Sequence, residues 1–213
     1  MRYEAIIFDK DGVLVDTEPF YDRRRREFFA EVGIDDSAFP SFYGSNNGVI
    51  WKTAVPADSL KREALYQRFR SRFANDPVPY AQLCVPRMRE VLQACRALGL
   101  KTGLASAGPR WVIDGFLEQL NLASAFDATL SGEDCAANKP APDIYLAAMR
   151  RLGVSSCRTL VVEDSPLGVR AAHEAGATVC AVMPPSAPEL DQSLADVRLG
   201  PLAALLDWLP SAL

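Results

Sequence analysis

The sequence predicts an α/β fold: a Rossmann-like parallel sheet core with an inserted small helical cap domain. Three observations predict it. Short apolar runs alternate with amphipathic helical stretches over most of the chain, the pattern of strands joined by right-handed helical crossovers. Two of those runs, Ala5 to Phe8 and Thr159 to Val162, stop abruptly in carboxylates, Asp9 and Asp11 in the first case and Glu163 and Asp164 in the second. Between them one stretch abandons the alternation for helices and loops. The expected division is a core of residues 1–15 and 87–213 with a cap of residues 16–86.

Taken in order, Ala5-Ile6-Ile7-Phe8 reads as a buried strand that ends in an acidic turn. In open α/β sheets ligands bind beyond the carboxyl ends of the strands. Residues two apart in extended chain project to one side, which aims Asp9 and Asp11 into one pocket. Neighbouring carboxylates repel each other and lose hydration, so they call for a cation, a shared proton or a reaction. A helix-cap or Asx-turn cluster explains one of the two acids but not both. An EF-hand fits poorly, because Gly12 follows Asp11 directly and a strand-like run precedes it. What remains is a carboxylate nucleophile, Asp9, an acid/base partner, Asp11, and a hard divalent cation.

A polar helix follows from Glu18 to Val32, with Asp16 or Thr17 as its cap, Pro19 in its first turn and Gly33 as its stop. Arg23, Arg24, Arg25 and Arg26 cannot share one helix face, since consecutive residues lie about 100 degrees apart. A solvated helix is expected, with one arginine facing a phosphate as the alternative. Asp35 to Ala54 reads as loop-rich and aromatic, with a shaped turn from Phe42 to Gly48. A helix from Asp58 to Phe73 repeats Leu65, Phe69 and Phe73, and Asn75 to Pro79 is a return linker.

From Pro86 the α/β pattern resumes. Helical faces carrying Met88, Val91, Leu92 and Cys95, then Ile113, Phe116, Leu117 and Leu120, alternate with strands at Lys101 to Ala105 and Ala128 to Leu130. Helices from Pro142 to Leu152 and Pro166 to Ala175 flank the strand Thr159 to Val162; a strand from Thr178 to Val182 and a last helix from Leu202 to Leu209 complete the set.

Three further motifs carry polar residues at strand ends or helix starts. Ser106 and Ala107 offer a hydroxyl and main-chain N–H groups at a helix start, which suits an anion, although a plain capping role for Ser106 is the alternative. Lys139 stands just before a helix start fixed by Pro140 and Pro142, a place where a lone lysine usually faces solvent. The second acidic strand end implies a metal. Mg²⁺ prefers oxygen ligands, and Asp9, the main-chain carbonyl of Asp11, and Asp164 with help from Glu163 make a credible set.

With these residues in place the chain resembles the haloacid dehalogenase-like superfamily. Asp9, Asp11, Gly12 and Asp16 match its opening Asp-x-Asp-Gly-x-x-x-Asp, and Ser106, Lys139 and the Glu163-Asp164 pair match its later motifs in order. The adjacent Glu-Asp pair and the early helical insertion look like the β-phosphoglucomutase-like branch, so the resemblance covers essentially the whole chain. It implies a phosphoric monoester hydrolase: Asp9 takes the phosphoryl group, Asp11 moves the proton, Ser106 and Lys139 hold phosphoryl oxygens, and Mg²⁺ is the cofactor. The expected substrate is a small phosphorylated metabolite, a sugar or polyol phosphate. The alternative is a phosphomutase. Aligned on that branch, the mutases' cap histidine and cap arginine correspond to Tyr21 and Asn47, and an amide grips a second phosphate less well than a guanidinium. Tyr21, Asn46 and Asn47 are accordingly the candidates for selecting substrate. A silent binding protein of the same fold is the third reading.

Composition narrows the setting. A chain of 213 residues, 49% hydrophobic, can bury a full core. A net charge of -4 and a pI near 5.1 give no broad basic field, so no nucleic-acid partner is expected. No apolar run approaches a membrane span, and Met1 to Glu4 lead straight into a strand, so a cytoplasmic protein is expected; a monomer is the working expectation, which no residue pattern decides. Five scattered cysteines suit reduced thiols, with Cys135 singled out by its nearness to Lys139. His173 is the one histidine, which leaves little material for triads or zinc sites.

Overall fold

The computed structural model describes residues 2–187 and 190–212, and the chain divides into two compact units, Met1–Asp16 with Tyr80–Leu213, and Thr17–Pro79. The first unit opens with β1 (Ala5–Phe8), whose four residues are all fully buried. Such a continuous apolar run belongs to a strand covered on both faces.

The second unit holds α1 (Glu18–Glu31), α2 (Asn47–Ala54) and α3 (Ser59–Arg72). Its core is aromatic: Phe28, Phe29, Phe42, Ile50, Trp51 and Phe73 are buried together, with Leu65 and Phe69 packed against them. Ring pairs such as Phe28–Phe69 at 5.5 Å and Trp51–Phe69 at 5.5 Å meet edge to face, the arrangement that ring quadrupoles favour. Helix α2 corrects the loop expected over Asp35 to Ala54. Asn46 caps it by accepting from Val49 N at 3.0 Å, so the shaped turn ends in a helix start. The arginine run is also corrected. Arg24 and Arg25 are buried, Arg24 on the main chain and carboxylate of Asp76 and over the Phe20 ring, Arg25 on Glu18 and Asp22. Arg23 and Arg26 face solvent.

The chain returns to the first unit at Tyr80, earlier than the expected residue 87. The reason is a small closure that periodicity cannot show. Val15 bridges Cys84, Val85 N donates to Leu14 O at 3.0 Å, and Asp16 N donates to Leu83 O at 2.8 Å, which ties α4 (Tyr80–Leu83) to the end of the first loop. Then come α5 (Met88–Ala97), β2 (Lys101–Ser106), α6 (Arg110–Leu120), β3 (Ala128–Ser131), α7 (Asp143–Leu152), β4 (Thr159–Glu163), α8 (Pro166–Glu174), β5 (Thr178–Ala181), the two-residue edge strand β6 (Val197–Arg198) and α9 (Leu205–Ala212). β6 is unexpected, and the last helix begins as a 3-10 turn, Leu202–Ala204.

All strand pairs are parallel, in the order β3-β2-β1-β4-β5-β6. β1 therefore lies between β2 and β4, where the strand order reverses, and this is where such sheets open a crevice at their carboxyl ends. Phe8 pairs with Leu104 on one side and Val162 on the other, so the first acidic turn stands beside the second. Among the described residues no helix is long and apolar enough to cross a membrane.

Candidate active site

Asp9 leaves β1 with its N–H on Val162 O at 3.0 Å, which fixes the first carboxylate at the end of β4. Lys139, in the loop between β3 and α7, reaches across the ends of β2 and β1. Its Nζ donates to Asp9 Oδ1 at 2.5 Å and to Glu163 Oε1 at 2.6 Å, with all three side chains nine-tenths buried or more. Burial works against the Lys139 charge, but Asp9 and Glu163 outweigh it and raise the ammonium well above its ordinary value.

The three acids differ. Burial pushes the Asp9 carboxyl up to about 7, against the pull of Lys139 and with a further push from Glu163 and Asp11. Burial, then Glu163 and Asp9, hold Asp164 well above the usual carboxylate range. Burial opposes an ionised Glu163 too, but Lys139, the Tyr145 hydroxyl and the Ser165 N–H prevail and lower its carboxyl. Glu163 Oε1 accepts from Lys139 and from Tyr145 at 2.8 Å; Oε2 accepts from Asp164 N, Ser165 N and Ser165 Oγ at 2.9, 3.0 and 3.1 Å.

Glycines make the room. Gly12 has φ +81°, and a Cβ there would lie 2.1 Å from Asp164 Oδ2, so the Asp164 carboxylate rests directly on the backbone of the first loop. A Cβ at Gly132 would come within 2.5 Å of Ala107 O, the contact that seats the loop after β2 against the loop that leads to Lys139. Ser131 Oγ donates to Gly108 O at 2.9 Å across the same junction. Ser106 is buried at the tip of β2 and accepts from Gly108 N at 3.3 Å, while Ala107 is exposed beside it. Pro109, not Ser106, is the N-cap of α6.

The model of the haloacid dehalogenase-like hydrolase family matches residues 6–182, a span that begins in β1 and ends just past β5. The chain belongs to that family. It is 33% identical over 208 residues to hexitol phosphatase B of Escherichia coli (strain K12), a match covering 94% of this chain and 93% of that protein. It is 32% identical over 181 residues to a phosphorylated carbohydrates phosphatase of Thermotoga maritima, covering 81% of this chain and 82% of the relative. A solved β-phosphoglucomutase from Clostridium difficile superposes with a TM-score of 0.76 at 21% identity, over 98% of this chain and 96% of that one, a likeness of fold.

Within this hydrolase the structure brings Asp9, Lys139, Glu163 and Asp164 together. Asp9, Glu163 and Asp164 each place a carboxylate oxygen within 4.8 Å of the others. With all three carboxylates ionised around the Lys139 ammonium the cluster would carry two net negative charges, which one Mg²⁺ would neutralise. Among the described residues no hydrogen bond reaches the Asp164 carboxylate, so Asp9 and Asp164 fit a hard cation. Nearness alone groups Glu163 with them, but its oxygens already take five donors against about four lone-pair sites. Asp11 is set apart: its carboxylate, 41% exposed, accepts from Lys10 Nζ at 2.7 Å.

Other candidates have local duties. Asp16 accepts from the N–H and hydroxyl of Ser186 rather than capping α1. Tyr21, Asn46 and Asn47 all lie in the second unit; Asn46 is the α2 cap, Asn47 Nδ2 donates to Tyr66 Oη at 3.3 Å, and the Tyr21 ring meets Phe20. Burial and Asp134 push the Cys135 thiol up, the opposite of activation. Two residues escaped the reading of the sequence. Lys10 is fully buried over the Tyr80 ring at 5.0 Å, and its signal was a lysine beside a buried strand. Tyr145 gave none, because it sits on an apolar helix face.

Proposed function

We propose that this hydrolase is a Mg²⁺-dependent phosphatase that cleaves a small phosphorylated sugar or polyol through an aspartyl-phosphate on Asp9. The observation that carries the proposal is the buried Lys139 ammonium held on Asp9 at the sheet's reversal point, beside an Asp164 carboxylate that no protein donor among the described residues satisfies. The names of the relatives from Escherichia coli and Thermotoga maritima support a phosphorylated carbohydrate as the substrate class.

In this mechanism an Asp9 oxygen attacks phosphorus in line, the bond to the ester oxygen breaks, and Asp11 gives its proton to the departing alkoxide. Water then attacks the same phosphorus, Asp11 takes the proton, and the bond to Asp9 breaks to release phosphate. Lys139, the Ser106 hydroxyl and the Ala107 N–H stabilise the equatorial oxygens. Mg²⁺, held by Asp9, Asp164 and the main-chain carbonyl of Asp11, would supply the remaining positive charge. This hydrolase would act in the cytoplasm, as a monomer.

The test is a screen of phosphorylated metabolites with Mg²⁺, following both phosphate release and isomer formation. Phosphate release from a sugar or polyol phosphate, dependent on Mg²⁺ and absent in Asp9→Asn, is the expected result. A chain that releases no phosphate from any member overturns the proposal.

A further inference from the structure

We infer that Tyr145 is a positioning residue that acts through Glu163 to hold the Lys139 ammonium on Asp9. Tyr145 is fully buried on α7 and touches Lys139 and Glu163 at once. Its hydroxyl donates to Glu163 Oε1 at 2.8 Å, and its ring lies 4.9 Å from Lys139 Nζ. The same Oε1 also accepts from Lys139 at 2.6 Å, so phenol and ammonium compete for one oxygen. Glu163 is otherwise fixed: Oε2 takes three donors from the start of α8, and a Cβ at Gly168 would lie 1.7 Å from Oε1. The carboxylate cannot turn to relieve that competition.

The consequence is electrostatic. A hydrogen bond from the phenol draws charge from Oε1 and weakens its hold on Lys139, which leaves more of the ammonium for Asp9 Oδ1 at 2.5 Å. The ring face adds a cation–π contact that confines Nζ. Glu163 thereby belongs to the lysine's support, whereas Asp9 and Asp164 are the carboxylates that would hold a metal. Remove the hydroxyl alone, and Oε1 becomes a stronger acceptor that pulls Lys139 away from the reacting oxygens.

The inference rests on the phosphatase reading for its kinetic part only. Tyr145→Phe keeps the ring and deletes the donor. The first measurement needs no substrate: the Lys139 ammonium is observed by proton–nitrogen NMR and assigned by its loss in Lys139→Met. We expect Tyr145→Phe to shift that resonance and hasten its exchange with water, while the thermal midpoint stays close to wild type; an unchanged resonance overturns the inference. The second measurement is kcat at saturating substrate and Mg²⁺, expected to fall roughly tenfold, the scale of one hydrogen bond to a charged group. In Glu163→Gln the same tyrosine change should have no further effect, because its path to Lys139 is already broken. Equal losses in both backgrounds would show that Tyr145 does not act through Glu163. If wild type releases no phosphate from any substrate yet the Lys139 resonance moves, the phosphatase reading falls and the positioning role stands. Should Tyr145→Phe not fold, 3-fluorotyrosine at 145 preserves the packing and strengthens the donor; a Lys139 resonance that does not respond overturns the inference.

Discussion

Asp9 and its neighbours are costly residues for a fold to hold, which makes their removal informative. Burial pushes Asp9 up to about 7, so the fold disfavours its ionised form before a cation arrives. Asp9→Asn should abolish turnover while leaving the thermal midpoint unchanged or raised, as measured by phosphate release and calorimetry on the same preparation. Lys139→Ala removes one preorganised cation and should lower the rate by roughly 10² to 10³. The same change leaves Glu163 buried without its counter-charge, so a clear loss of stability should accompany it. Asp164→Asn should raise the Mg²⁺ concentration needed for half-maximal rate; an unchanged Mg²⁺ titration would remove Asp164 from the ligand set.

At the scale of elements, polar groups at strand and helix ends fix the loops that carry the site. Asp134 shows how. It closes a capping box on the short 3-10 helix after β3, accepting from Ser131 N at 2.8 Å, and that N–H holds its carboxyl below the usual value. A lowered carboxyl contributes stability above its unfolded pKa and loses that contribution as pH falls through the folded value. The midpoint gap between wild type and Asp134→Asn should therefore be constant down to about pH 5 and close below about pH 4, read by thermal melts across pH. Much of this architecture was legible in sequence because burial is periodic: Met88, Val91, Leu92 and Cys95 line the buried face of α5 where their spacing puts them. What was not legible depends on distant partners. Arg24 is buried because Asp76 and Phe73 meet it, and β6 is a strand only because β5 offers an edge. Within the site, sequence put Glu163 and Asp164 side by side, but their division of labour comes from Tyr145 and Ser165, which no local pattern reveals.

At the scale of the molecule, hydrolysis and transfer differ in whether a retained sugar hydroxyl outcompetes water for the aspartyl-phosphate, which requires a charged donor to hold the far phosphate. With an amide, Asn47, at the position where the mutases carry an arginine, hydrolysis should dominate. A hexose 1-phosphate with a trace of bisphosphate should yield free sugar and phosphate by phosphorus NMR; a growing 6-phosphate signal with little phosphate would instead make the chain a mutase. The central place of β1 has a further consequence, one of timing. Synthesised first, β1 waits with both edges bare until Lys101 and then Thr159 have left the ribosome, since those residues open the strands that flank it. Residues 17–79 draw their core from one another and have no such delay. A nascent chain thus carries every residue of the insertion's core long before Asp9 can meet Glu163, and until then its most apolar strand is the segment a chaperone would need to shield.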